Sequence, residues 1–550
     1  MSGGQLIEPK AGGKPALWRR IGARIEWAGE WLNPLLVKEV RQSLKSRQFS
    51  ITFTAVLCLS WLWSIVGIAR LGPDVAYGVN GPEMFYGYYM ILAFPLILLV
   101  PYSAYRSLIA EREDNTYELV AITALRPRQI VGGKLGSAVA QMAVYFSAVA
   151  PCLAFTYLLR GIDIPTIFWI LFYTFLASLG FSLIALLLAT IAKEKHWQVM
   201  LAVVIVVLLF WCCIRTCENV YELLRTSRLP FRSGDFWLWN LIFLTFYIST
   251  FVLLYLAAAA QLTFTAENRS TPLRWAMLCQ QLLWVGWMGY GVFRAFGDSR
   301  NAGAGASVFG LITLTVSAIY WFVMGSFMLG EPPELSPRVK RRLPATTFGR
   351  AFLTWLNPGP GPAYLFALCN VVVTAILAFI AVWYSDSVRT APGGMPATRL
   401  QMAVIILMLC YFTIYLGLAN LLLRLLRKVM QINLGASAAI SVLLVLAGWG
   451  IPTLLDPFYL GNRSYNFGHI TDPFWTCGGT LEGRLSAQPG ELLMILVPTA
   501  LVVLLLNLVY IVPEVQQHRI APPARVAEEE QAQIVAHEPP VPQPSSPWDN

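Results

Sequence analysis

The side chains able to do chemistry are few in this sequence and lie far apart. Its four histidines, His196, His469, His518 and His537, fall in separate loops and in the tail, so their spacing assembles neither a Ser-His-Asp triad nor a metal site. The nine cysteines give no disulfide framework: Cys58, Cys152, Cys212, Cys213, Cys279, Cys369 and Cys410 sit within apolar runs. Cys213 and Cys217 are one helical turn apart and could share a metal, but no histidine or carboxylate is placed to complete the set. No catalytic, cofactor-binding or metal-binding residue is therefore expected.

Two charged stretches carry a different kind of chemistry, that of docking. The first runs from Asn33 to Arg47. Asn33 can cap a helix and Pro34 suits its first turn. Leu36, Val37, Val40 and Leu44 then share one face, and Lys38, Arg41 and Lys45 another. This is the pattern of an interfacial amphipathic helix whose cations face lipid headgroups; a basic flank that only sets topology is the simpler alternative. The second stretch, residues 106–134, contains Glu111-Arg112-Glu113-Asp114-Asn115-Thr116-Tyr117-Glu118-Leu119. Its charges alternate in sign, Asn115 or Thr116 can cap a helix, and Leu119, Ile122 and Leu125 form an apolar set before Pro127 and Gly133-Lys134. A short amphipathic helix of this kind can enter a soluble partner's groove; the alternative is a solvated loop.

These stretches hang on an apolar scaffold. Of 550 residues 57% are hydrophobic and only 13% charged, and the mean hydropathy is +0.59. So little polar surface cannot cover a water-facing particle, which excludes an ordinary soluble enzyme, a disordered chain and a fibrous protein. The pattern predicts an all-α polytopic membrane protein with about twelve spanning helices. The first six are expected at Phe49 to Ala69, Met84 to Tyr105, Leu135 to Leu159, Thr166 to Ala192, Gln198 to Cys217 and Trp237 to Ala260. The second six are expected at Trp275 to Phe293, Ser307 to Gly330, Ala363 to Tyr384, Leu400 to Leu423, Leu434 to Leu455 and Leu492 to Val512. With both termini in the cytoplasm every Lys falls inside, as the positive-inside rule requires, while Arg225, Arg228 and Arg232 fall outside. The net charge of +10 then reflects topology and anionic lipid headgroups rather than nucleic acid. No charged residue sits in the middle of an expected span. Amides such as Gln141, Asn240, Gln280, Gln281, Asn370, Asn420 and Asn507 interrupt the spans instead and are read as interhelical hydrogen-bonding groups.

The amphipathic elbow from Asn33 and Pro34 to Arg47, the helix pair after it and the following loop resemble the type-2 ABC exporter permeases. That family is similar in carrying an E-R-E-x-G-T-x-E-x-L-like stretch after its second helix, then a Pro turn and Gly-Lys before the third. Glu111, Arg112, Glu113, Thr116, Glu118 and Leu119 match it, and Asn115 stands where glycine is usual. The resemblance covers roughly Asn33 to Ala260. It implies a membrane subunit in the cytoplasmic (inner) membrane that works as a homo- or heterodimer of permeases on a separate ABC ATPase subunit. Closure of the ATPases would push the coupling loop (Glu111, Arg112, Glu113, Thr116, Glu118, Leu119, Lys134) and the elbow (Asn33, Pro34, Lys38, Arg41). Glu111, Arg112, Glu113 and Glu118 would contact or orient the ATPase groove and Leu119 would fill it. Gly133-Lys134-Leu135 is not a G-x-x-x-x-G-K-[ST] phosphate loop, so ATP is expected on the partner and no cofactor on this chain.

The expected organisation is then a cytoplasmic N-terminus with its elbow (1–48), a six-helix permease unit (49–260), a second six-helix region (261–513) and a disordered cytoplasmic tail (514–550). The second region can be aligned in two ways. Counting six helices puts the basic loop from Glu331 to Pro362 at the coupling position. Matching Trp31-Leu32-Asn33-Pro34 with Trp355-Leu356-Asn357-Pro358 instead makes the ninth helix equivalent to the first. Without a second E-R-E stretch, one working half with an accessory half is the favoured reading. The segment from Asp456 to Gln488 is an outer loop or a plain connector. A secondary carrier, or a membrane scaffold or sensor without transport, remains the alternative function, and a lipid, glycan, peptide, drug or ion all remain open as substrate.

Overall fold

A computed structural model describes residues 34–72, 78–113, 126–191, 194–226, 229–264, 267–297, 302–341, 354–388, 395–459, 465, 467–483 and 489–515, with Arg525 and Glu528. Every regular element among them is helical. Asn33, Thr116, Glu118 and Leu119 lie outside the described residues, as does the tail beyond 515 apart from the two residues named. The chain divides into two compact units, Met1–Thr263 and Phe264–Asn550.

The first unit holds α1 (Pro34–Leu44), α2 (Arg47–Leu71), α3 (Gly81–Glu113), α4 (Pro127–Leu158), α5 (Ile164–Ile191), α6 (Lys195–Thr226) and α7 (Gly234–Leu262). The second holds α8 (Thr271–Phe296), α9 (Ala302–Met328), the short α10 (Pro337–Arg341), α11 (Pro360–Val388), α12 (Met395–Leu426), α13 (Leu434–Tyr459), α14 (Pro473–Glu482) and α15 (Pro489–Val515). Eleven of these helices are long and apolar enough to cross a membrane, the pattern of a multi-pass membrane protein. Their outward faces are apolar too: Ile51, Trp61, Val207 and Leu505 are all more than 60% exposed. The twelfth expected span forms as α8, but its glutamines and glycines keep it below the apolar composition of the rest.

In the first unit α3 is central and packs on α2, α4, α5 and α6, while α7 packs on α4 and α5. Phe85, Tyr88, Tyr89 and Leu92 of α3 are fully buried. The phenols find partners, Tyr88 on Ser64 at 2.6 Å and Tyr89 on Thr174 at 3.0 Å, as buried hydroxyls must. Halfway along, α3 widens into a π turn at Pro95–Leu99, closed by the Val100 amide on the Pro95 carbonyl. The hydroxyl of Ser178 on α5 donates to the Leu96 carbonyl that this turn frees.

In the second unit α9 packs on α8, α11, α12 and α13, and α15 packs on α11 and α12. The α9–α11 pair is drawn together by small residues. A Cβ added to Gly310 would lie 2.9 Å from the Ala378 Cα and 3.0 Å from the Ala381 Cβ, so only glycine permits this approach. The segment after α13, expected as a loop, is in part regular: a 3-10 turn at Phe467–Thr471 leads into α14, whose first amides, Phe474 and Trp475, donate to Asp472 at 2.9 and 3.1 Å. Tyr411 ties this segment down by donating to the Ile470 carbonyl at 2.6 Å.

Two boundaries differ from expectation in ways that matter for the site. The second spanning helix does not stop near Tyr105 but runs on to Glu113, so Glu111, Arg112 and Glu113 form its last turn. The third does not start after Lys134 but at Pro127, so Lys134 is a helical residue two turns inside. In both places a charged side chain has a partner within the fold, which lets the helix continue past the purely apolar stretch.

Candidate coupling site

At the end of α3 three elements meet. The α1 helix opens at Pro34, as proline at the first helical position favours, and lies along the first turns of α4. Contact is close because α4 offers glycine there: a Cβ on Gly136 would come within 2.4 Å of Leu36 Cδ1. The inward stripe of α1 is Leu35 and Glu39, both buried, while Val37 is 41% exposed. The two-faced reading of this helix therefore needs correction: its inner stripe contains a carboxylate, and Val37 is not part of it.

That carboxylate meets Lys134. The Lys134 side chain is 1% exposed, with Nζ 3.4 Å from Glu39 Oε1 and 3.1 Å from Glu111 Oε2. Its third direction points to Ser107 Oγ at 3.4 Å. The three donors of one ammonium are thus spread over α1 and two turns of α3. Burial pushes the Glu39 carboxyl above the ordinary carboxylate range; Lys134 opposes this and the negative Glu111 reinforces it. A buried cation between two carboxylates holds its elements strongly, because removal of the cation leaves like charges facing each other out of water.

Arg112 completes the arrangement sideways. Its Nη1 and Nη2 donate to the carbonyls of Ala189 and Thr190, each at 3.0 Å. Those carbonyls belong to the last turn of α5, where helix partners run out and a cation suits the dipole. Tyr105 donates to the Gln198 carbonyl at the start of α6, and Tyr255 of α7 to the Arg128 carbonyl in α4, both at 2.6 Å. One end of the first unit is therefore tied into a single block around the last turns of α3.

The structure brings together Glu111, Arg112 and Lys134 of the expected set, and all three are turned toward their own chain. Lys38 is half exposed with its Nζ 3.9 Å from Glu111 Oε1, and Glu113 is exposed. Arg41 faces outward with Lys38, and the two line an open groove with Val37, Gln42 and Lys45. Glu39 and Ser107 are site residues that the sequence reading passed over. The available signal was spacing: Leu35, Glu39 and Ser43 recur at four, the same stripe that buries Leu35. Cys213 and Cys217 are free thiols hydrogen-bonded to each other, and no group of three metal ligands occurs among the described residues.

The second unit has its own buried charge, which the sequence reading did not foresee. Arg274, at the start of α8, is fully buried, and its Nη2 lies 2.8 Å from Glu331 Oε2. Its Nη1 donates to the Trp355 carbonyl, and the same Glu331 oxygen accepts from the Gly359 amide at 2.8 Å. Arg427 donates to the Leu329 and Glu331 carbonyls just beyond α9. Arg424 lies 2.7 Å from Glu514 of α15, which also accepts from the Gly361 amide in α11 at 2.9 Å.

Comparison of the chain with protein-family models, with curated proteins and with solved structures finds no match.

Proposed function

We propose that this chain is the membrane-spanning permease subunit of an ATP-dependent exporter in the cytoplasmic membrane, energised by a separate ABC ATPase subunit. The observation that supports it best is the Lys134 bridge. A coupling device must take a push from a soluble partner and pass it to more than one membrane helix. Lys134 joins the elbow α1 to the end of α3 and the start of α4, and Arg112 carries the link to α5. Pressure on α1, or on the segment that leaves Glu113, thereby moves these helix ends as one piece. Glu111 and Arg112 serve this reading as internal tie points, leaving Glu113, with Glu118 and Leu119, to meet the ATPase groove. The cationic face of Lys38 and Arg41 rests on lipid headgroups.

In this reading α8 also crosses, giving twelve spans and both termini in the cytoplasm. Its 26 residues reach about 39 Å, more than the hydrocarbon thickness. The glutamines that lower its hydropathy are buried: Gln281 bonds Ser317 and Trp321 at 3.1 and 2.9 Å, and Gln280 accepts from Tyr320 at 3.0 Å. The face that would meet lipid carries Leu282, Leu283 and Phe293, all exposed.

The test is purification of the chain in mild detergent, before and after Glu113→Lys combined with Glu118→Lys. The ATPase should accompany the unaltered chain, and charge reversal should lower its recovery by about tenfold or more, as for reversal at a charged interface. Undiminished assembly and transport would reject the docking role.

A further inference from the structure

We infer that the second unit is another copy of the same six-helix permease unit and not an accessory region, so that one chain presents two coupling ends to two ATPase subunits. The inference rests on the exporter reading and extends it.

The neighbour schemes carry the argument. Number the long helices of each unit one to six: α2 to α7 in the first, and α8, α9, α11, α12, α13 and α15 in the second. In the first unit the second helix packs on the first, third, fourth and fifth; the fourth packs on the third, fifth and sixth; the sixth also packs on the third. Each of these pairings recurs in the second unit; the one further pairing of the first unit, its first helix on its third, has no main counterpart between α8 and α11. Matching by Trp-Leu-Asn-Pro breaks the scheme: α12 and α15 would become second and fourth, and α13 as third would have to pack on α15, which is not among its main neighbours.

Details at the helix ends follow the same register. Each third helix opens on a proline, Pro127 or Pro360. In its first two turns a glycine makes room for a side chain of the sixth helix: a Cβ on Gly132 would lie 3.3 Å from the Tyr255 hydroxyl, and one on Gly361 2.3 Å from Glu514 Oε2. An arginine spans the ends of the second and fourth helices in both units, with its direction reversed. Arg112 leaves the second helix for carbonyls of the fourth, and Arg427 follows the fourth and reaches carbonyls after the second. The chain leaving the second helix is, in the first unit, the acidic segment after Glu113. In the second unit it leads to α10, where Arg338, 69% exposed with its Nη1 3.8 Å from Glu267 Oε1, stands beside Lys340 and Arg341. The second coupling end is therefore basic and fits an ATPase surface of acidic character, unlike the surface that Glu113 fits.

The experiment uses the full chain with exposed Cys58 and Cys279 replaced by serine, carrying Glu113→Cys or Arg338→Cys. In sealed vesicles both new thiols should react with an impermeant maleimide from the same side; reaction from opposite sides overturns the inference whatever binds to the chain. In the detergent-purified complex, native mass should equal one chain plus two ATPase subunits, with cross-links to ATPase from both positions. A mass of two chains plus two ATPases, cross-linked through Glu113→Cys alone, overturns the inference and leaves the exporter reading standing. Same-side labelling with no ATPase in the complex removes the exporter reading and the two-ATPase claim together.

Discussion

In the first unit the helix ends are gathered by Lys134 between Glu39 and Glu111; in the second they are gathered by Arg274 between Glu331 and the Trp355 carbonyl. The lysine is a point charge satisfied by two carboxylates, one of them on the peripheral α1. The arginine is a planar fork fixed from two directions within its own unit. Packing differs in parallel. The α3 helix is held by hydroxyl–hydroxyl pairs such as Ser64 with Tyr88 and is interrupted by a π turn, whereas α9 and α11 approach through Gly310, Ala378 and Ala381. The comparison teaches that a similar neighbour scheme can be built around a second helix with a π turn or one without. In the first unit a helix outside the six long ones shares the central ion pair.

The contrast can be broken first at the central cations. Arg274→Ala should be the most damaging change, because Glu331 loses its partner and the Trp355 carbonyl loses a donor. A loss of about 3–5 kcal/mol, seen as a large drop in melting temperature in detergent, is the expectation for a broken buried pair. Lys134→Ala should cost less, since burial already raises the Glu39 carboxyl and uptake of a proton there can relieve the repulsion, and Glu39→Gln added to Lys134→Ala should recover stability. Equal losses with no recovery would mean that the two cations do the same job.

The packing contrast is sharpened by valine at two glycines. Gly310→Val meets the Cα of Ala378, which cannot move without its helix, and should cost about 1–3 kcal/mol, as overpacking does. Gly136→Val meets only the end of Leu36, so the loss should be smaller and Leu36→Ala should reverse it.

The smallest effect is a pH dependence confined to the first unit. Native Glu39 binds its proton more tightly than the unfolded chain does, so it adds stability as pH falls below its raised pKa and costs stability as pH rises through it. Melting curves should show this slope above the ordinary carboxylate range, and Glu39→Gln should flatten it. An unchanged slope would place the titrating group elsewhere.

Apolar run length and the spacing of cations were enough to read twelve long helices, eleven of them apolar enough to cross a membrane, and the position of α1, because both are local signals. Lys134 could be singled out from Gly133-Lys134, and Glu111 with Arg112 from their alternating charge. Their inward orientation could not, since it depends on partners 77 and 95 residues away. Arg274 was illegible for the same reason: Glu331 is 57 residues downstream, and an arginine before an apolar run looks like an ordinary flank. Gln280 and Gln281, read from the sequence as interhelical hydrogen-bonding groups, do bond across to Tyr320, Trp321 and Ser317 of α9, although hydropathy counts their amides at full cost.

The widened turn at Pro95–Leu99 also acts as a keyway. A residue of α-helix is about 100° of rotation. Continued without interruption, the stripe through Phe85, Tyr88, Leu92 and Leu96 would next centre on Ser103 and Ser107. The buried positions are instead Ala104, Tyr105, Leu108 and Ile109, one to two steps later. With one residue fewer in that turn, the lower half of the helix would be swivelled by about a quarter of a circle, and the Glu111 carboxylate would face away from its ammonium partner. The alignment of the last turn is thus dialled in by a residue count about three turns upstream.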